Sequence, residues 1–140
     1  MHLTAREKSR VAAVFSAASA SGGTCPVKDI IAGLGDKWSI YSLLLLGQHG
    51  TMRFNELRRN ISGISQRMLT VTLRALERDG MVSRTINSET PLRVEYQLTQ
   101  TGESLLQQIL QLIGWAEAHA PLILKSRKVF LEKNRMKTQV

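Results

Sequence analysis

Residues 53–80 decide the fold. They read Arg53-Phe54-Asn55-Glu56-Leu57-Arg58-Arg59-Asn60-Ile61, then Ser62-Gly63-Ile64, then Ser65-Gln66-Arg67-Met68-Leu69-Thr70-Val71-Thr72-Leu73-Arg74-Ala75-Leu76-Glu77-Arg78-Asp79-Gly80. This is the pattern of a short helix, a tight turn and a longer helix closed by glycine. On a 3.6-residue wheel begun at Ser65, Met68, Leu69, Thr72, Leu73 and Leu76 fall on one side, which must pack inward. Gln66, Arg67, Thr70, Arg74 and Arg78 fall on the other. That outer face offers an amide, a hydroxyl and three guanidinium groups, the groups that bond base edges and phosphates. Ser65 suits an N-cap, because its hydroxyl can take an orphan N–H of the first turn. Gly80 suits the left-handed position after the last turn, and Gly63 the turn between the helices.

The flanking sequence turns an amphipathic helix into a motif. Leu92, Val94, Tyr96 and Leu98 alternate with Arg93, Glu95 and Gln97, as in a half-buried strand. Residues 81–86 are β-rich enough to pair with it across the turn-forming 87–91. Helix, turn, helix and two-stranded hairpin is the winged helix-turn-helix order, a mostly α architecture with a small β-hairpin (α+β). Upstream, Val27, Ile30, Ile31 and Leu34 make one helical stripe behind Pro26. Asp36 can cap a following helix made apolar nearly all round by Trp38, Ile40, Tyr41, Leu43, Leu44 and Leu46, which belongs in the core and is expected to end at Gly47 and Gly50. Downstream, Thr99 can cap a long helix that Pro121 ends or bends.

Three segments follow from these signals: 1–24, a helical extension and linker; 25–124, the winged domain with a dimerisation helix over about 99–120; and 125–140, a basic tail. The stripe Leu105, Leu106, Ile109, Leu112 and Ile113, widened by Trp115, exceeds what one contact face needs and is expected to seal a homodimer.

The 140 residues carry a net charge of +8, which favours a polyanionic partner. No run of about twenty apolar residues marks a membrane span, and the first residues lack the apolar core of a signal peptide, so a soluble cytoplasmic protein with no membrane partner is expected. One cysteine and three scattered histidines make no zinc pattern and no internal disulfide. No phosphate loop, nucleophile–base pair or metal motif is present, so no enzyme and no cofactor is expected. Cys25 opens a helix with Lys28 one turn on. Both the helix dipole and the ammonium favour its thiolate, which makes it a candidate sensor of a small oxidant or electrophile.

Together these residues resemble the HxlR-type family of bacterial transcriptional regulators, winged helix-turn-helix proteins akin to the MarR group. The resemblance covers about residues 25–119. It is carried by Cys25-Pro26-Val27, Gly35-Asp36-Lys37-Trp38, Arg53-Phe54-Asn55-Glu56-Leu57, Ile64 through Thr70, Leu73-Arg74, Leu76-Glu77, Gly80, Arg93 through Thr99, and Gly102. It implies a homodimeric repressor or activator on double-stranded operator DNA. The residues assigned to DNA are Arg53, Asn55, Ser65, Gln66, Arg67, Thr70, Arg74, Arg84 and Arg93. It also implies that a cysteine at the position of Cys25 can sense oxidants. The wing tip departs from a basic wing by carrying Glu89, and the extension before Cys25 is longer than the family's usual start, so no family role carries over to it. The competing reading is a winged-helix module that contacts protein without specific DNA binding; a salt titration separates the two.

Overall fold

The computed structural model describes residues 2–15, 26–88 and 91–139. Its elements are α1 (Ala5–Phe15), α2 (Pro26–Leu34), α3 (Lys37–His49), β1 (Met52–Arg53), α4 (Phe54–Asn60), α5 (Gln66–Arg78), β2 (Val82–Asn87), β3 (Arg93–Leu98) and α6 (Gln100–Thr138). The helix-turn-helix and hairpin stand where the sequence pattern predicts them.

The core is a cluster of apolar side chains gathered from α3, α4, α5, the sheet and α6: Leu43, Leu46, Leu57, Leu69, Leu73, Leu76, Val82, Tyr96 and Ile109 are all buried. α3 lies at its centre, packed on α5, α6, α4 and β3. Asp36 caps it by accepting from the Trp38 N–H at 3.0 Å. Its end corrects the expectation at Gly47, which lies inside the helix; the chain leaves at Gly50, φ 80°. Gly47 faces α6. A Cβ there would stand 2.2 Å from Leu106 Cδ2, so a side chain at this position requires Leu106 to shift.

The wing has a third strand. β1 pairs antiparallel with β3, Met52 against Tyr96 and Arg53 against Glu95, giving the order β1-β3-β2. β2 and β3 pair over their full lengths, from Val82 against Leu98 to Asn87 against Arg93. Leu92 stands outside this ladder and is exposed.

One corner ties α5, the wing and α6 together. Gly80, φ 74°, turns the chain out of α5, and the Met81 N–H returns to the Leu76 carbonyl at 2.9 Å. The Thr99 N–H donates to the Met81 carbonyl at 3.1 Å, and the Thr99 hydroxyl donates to the Gly80 carbonyl. The same hydroxyl oxygen accepts from the Gly102 N–H at 3.1 Å and caps α6. A Cβ on Gly102 would lie 2.0 Å from the Met81 carbonyl oxygen, so the corner closes only over glycine.

α6 continues through Pro121 to Thr138, so proline does not end it. The segment expected as a basic tail is therefore helical to Thr138. Pro121 removes one intrahelical bond, and its exposed surroundings let water take the freed carbonyl. The apolar stripe of α6 is also divided differently. Ile109 is buried in this chain's own core, Leu105 and Ile113 pack against that core, and Leu106 meets Gly47. Leu112 and Trp115 remain exposed.

At the other end, α1 buries no residue. It lies on α2 across a groove lined by Leu3, Val11, Val14, Val27 and Ile31. The α2 stripe Val27, Ile30 and Ile31 is otherwise exposed.

Candidate nucleic-acid interface

α5 is built to hold one face still. Its buried stripe is Leu69, Thr72, Leu73 and Leu76, an i, i+3, i+4, i+7 set pressed on α3 and β2. Ser65 caps it by accepting from the Met68 N–H at 3.0 Å. Gly63, φ 81°, makes the preceding turn, a conformation that side chains rarely adopt. Met68, expected inside, is 36% exposed: it sits at the rim of the stripe, one residue before its start.

The solvent face of α5 carries Gln66, Arg67 and Arg74, all exposed, with Thr70 half-buried. The Thr70 hydroxyl donates to the Gln66 carbonyl at 2.8 Å, so its oxygen remains to this site as an acceptor. A cleft of about 330 Å³ opens between α5 and the sheet. Gln66, Thr70, Arg74 and Glu77 line it from the helix, and Arg84 and Tyr96 from the wing. Arg84 and Tyr96 face each other in the strand register, which sets the Arg84 side chain against the helix. Four of the sequence-predicted residues thus meet at one place, with guanidinium groups on both walls. Glu77 was not among them. Its carboxylate lies in the same cleft, and its spacing from Thr70 and Arg74 on one helical face is the signal that finds it.

The remaining predicted residues lie outside this cleft. Arg67 is exposed on α5. Arg53 and Asn55 are exposed at the start of α4, where the Arg53 N–H donates to Glu56 Oε1 at 3.3 Å. Ser65 is the cap. Arg93 opens β3 opposite Asn87 and is exposed. Arg78, read as a third outward cation, is paired instead: its Nε lies 3.0 Å from Asp79 Oδ1 and its Nη2 3.4 Å from Oδ2. This hydrogen bonding to Asp79, with the carboxylate's charge, raises the Arg78 guanidinium above its ordinary value. Much of its field is thereby offset. Cys25 and Glu89 lie outside the described residues. Trp115, expected at a dimer face, stacks on the His119 ring with centroids 4.5 Å apart. Among the described residues, no single helix is long and apolar enough to cross a membrane.

Comparison with known proteins places this geometry. Residues 33–123 match the sequence pattern of the HxlR-like helix-turn-helix family. The chain is 37% identical over 103 residues to the uncharacterized HTH-type transcriptional regulator YtfH of Escherichia coli K12, covering 74% of this chain and 81% of that one. The solved structure of the redox regulator HypR in its reduced form superposes with a TM-score of 0.64 at 39% identity, over 70% of this chain and 96% of that one. The reduced transcriptional regulator YodB of Bacillus subtilis gives 0.60 at 33% identity, over 68% and 93%. A helix-turn-helix with a three-stranded wing, a pattern match across most of the winged domain and relatives that are transcriptional regulators lead to one conclusion: the chain belongs to the HxlR-like helix-turn-helix family of transcriptional regulators.

Proposed function

We propose that this regulator is a homodimer that binds double-stranded operator DNA sequence-specifically, with α5 in the major groove. One observation carries the reading. The buried stripe of α5 locks the helix, while Gln66, Arg67 and Arg74 are exposed and Arg84 meets Gln66, Thr70 and Arg74 across a cleft. Amides and guanidiniums on a rigid helix suit base edges; a wing arginine suits the adjoining phosphates. Dimerisation is supported by Leu112 and Trp115, which α6 leaves exposed. A paired reader matches two half-sites one helical turn apart. Such a regulator works in the cytoplasm, beside the chromosome.

The test is affinity for operator and for unrelated DNA across a salt series. Affinity for both falls steeply with salt, because phosphate contacts release counterions. Arg67→Ala loses ~1–3 kcal/mol on operator and much less on unrelated DNA, as expected for a lost base contact. Binding indifferent to salt points to a protein-interaction module instead.

Likeness to HypR, a redox regulator, favours a second layer to this reading: Cys25 as the site of an oxidant or electrophile signal. With one cysteine in the chain, its oxidation ends in a sulfenic acid, a mixed disulfide with a small thiol, or a bond between subunits. Diamide then changes operator affinity of the wild type and leaves Cys25→Ser unchanged. Equal response of the two proteins removes Cys25 from the signal.

A further inference from the structure

The match to the family ends at residue 123, but α6 runs on to Thr138, and residues 124–138 are all exposed. Most helical stability in proteins comes from packing, so this stretch lacks its covering. One face of α6 is patterned for it. From Leu112 onward a stripe recurs at alternate spacings of three and four. Trp115, Leu122, Val129 and Met136 stand seven apart, all apolar and all exposed. Leu112, His119, Ser126 and Lys133 stand seven apart between them. In heptad notation the first set is d and the second a. A seam sustained for about three and a half heptads is the signature of a coiled coil. Ile109 and Ile113, which α6 turns to its own core, lie off this seam.

The surface of the helix carries the matching holes. A shallow hollow of about 420 Å³ is lined by Leu122, Lys125, Ser126, Val129, Phe130 and Lys133. These are positions d, g, a, d, e and a. In a parallel two-stranded coil, a knob from a enters a hole made by d, g, a and d, and the next knob, from d, enters one made by a, d, e and a. The hollow is those two holes side by side, and the knobs that fit them are Ser126 and Val129 of a second copy. Leu124 and Leu131, equally apolar and exposed, fall at f on the far side and do not line it. Charge sets the direction. In a parallel pair each g residue faces the e residue five positions on in the other copy, so Glu132 meets Lys137 and the Lys125 stem lies over Phe130. Among the described residues, neither Glu132 nor Lys137 forms an ion pair within its own chain. Arg127, Lys128 and Arg135 fall at b and c, in solvent, where salt screens their repulsion. A lysine at a, here Lys133, favours a defined register and strand number at some cost in stability.

We infer that α6 continues past the winged domain as a parallel, in-register, two-stranded coiled coil with a second copy of this chain, its seam running from Leu112 to Met136. The inference rests on the homodimer proposed above and adds its direction and extent: both winged domains lie at one end of the coil. The test uses full-length chains carrying Cys25→Ser, so that an introduced cysteine is the only one. Under mild oxidation Ser126→Cys and Met136→Cys, in separate proteins, each form a disulfide between subunits, and Leu131→Cys, on the outer face, does not. An antiparallel pair brings at most one of the two seam positions opposite itself. Sedimentation equilibrium supplies the second reading. Val129→Glu raises the dimer dissociation constant by about tenfold or more, because it sets two carboxylates in an apolar layer. Leu131→Glu leaves that constant within about twofold. A wild-type protein that stays monomeric overturns the dimer and the coil together. A wild-type dimer in which either seam cysteine fails to cross-link, or which Val129→Glu leaves intact, keeps the dimer and overturns the coil.

Discussion

α1 and α5 are helices of nearly equal length, 11 and 13 residues, and both are capped by a hydroxyl. In α1, Thr4 Oγ1 accepts from the Glu7 N–H at 3.2 Å while Glu7 Oε2 accepts from the Thr4 N–H at 2.7 Å, a reciprocal capping box. In α5, Ser65 serves alone. The better cap thus belongs to the helix with no buried residue, and the simpler cap to the helix with four. Caps choose where a helix begins. Burial decides whether it persists, since a free helix of this length is marginal in water.

The contrast is sharpest where burial is removed. Leu73→Ala in α5 opens a cavity in the core and lowers stability by ~2–5 kcal/mol in urea denaturation. Val11→Ala in α1 leaves the same transition within ~0.5 kcal/mol, because that side chain is 45% exposed. A Val11→Ala loss matching that of Leu73→Ala would show α1 to be part of the cooperative core. Next in size is Gly102→Ala, which drives a methyl into the Met81 carbonyl and costs ~1–3 kcal/mol. Ser65→Ala removes the α5 cap for ~1 kcal/mol, seen as a shifted denaturation midpoint with unchanged slope.

Acid gives the smallest effect and isolates α1. Hydrogen bonds from the Thr4 backbone and side chain hold the Glu7 carboxyl below its ordinary value. A depressed carboxyl contributes stability above its unfolded value and loses it as pH falls through the folded one. Acidification below the ordinary glutamate range therefore frays α1, read as a small loss of helical ellipticity that Glu7→Gln shows at neutral pH. The main unfolding transition stays in place. A main transition that moves with Glu7 would mean that α1 is coupled to the core.

The parts of the fold readable from sequence are those with local signatures. Ser65, Gly63 and Gly80 mark α5 within a few residues, and alternation marks β3. The parts that escape depend on distant partners. β1 is two residues long, too short to alternate, and exists because Tyr96 and Glu95 return beside it. Gly47 looks like a helix end until Leu106, 59 positions on, is seen to occupy the space beside it. Leu105, Leu106, Ile109 and Ile113 form a valid stripe, but periodicity cannot say whether the chain's own core or another copy covers it. Within the site, Gln66, Thr70 and Arg74 follow from the helical wheel, whereas Arg84 joins them through the hairpin register. The pairing of Arg78 with Asp79, its sequence neighbour, lies outside what the wheel displays.

The corner at Gly80, Met81, Thr99 and Gly102 also sets a mechanical ratio. It pins the end of α5 to the start of α6 through carbonyls that cannot shift separately. α6 has 39 residues, so at a rise of ~1.5 Å each it extends about 58 Å from that pin. A rotation of about one degree at the pin sweeps the far end of a straight helix of that length through roughly 1 Å. The helix is a long pointer on a short hub: a small turn at the hub is a larger displacement at its tip.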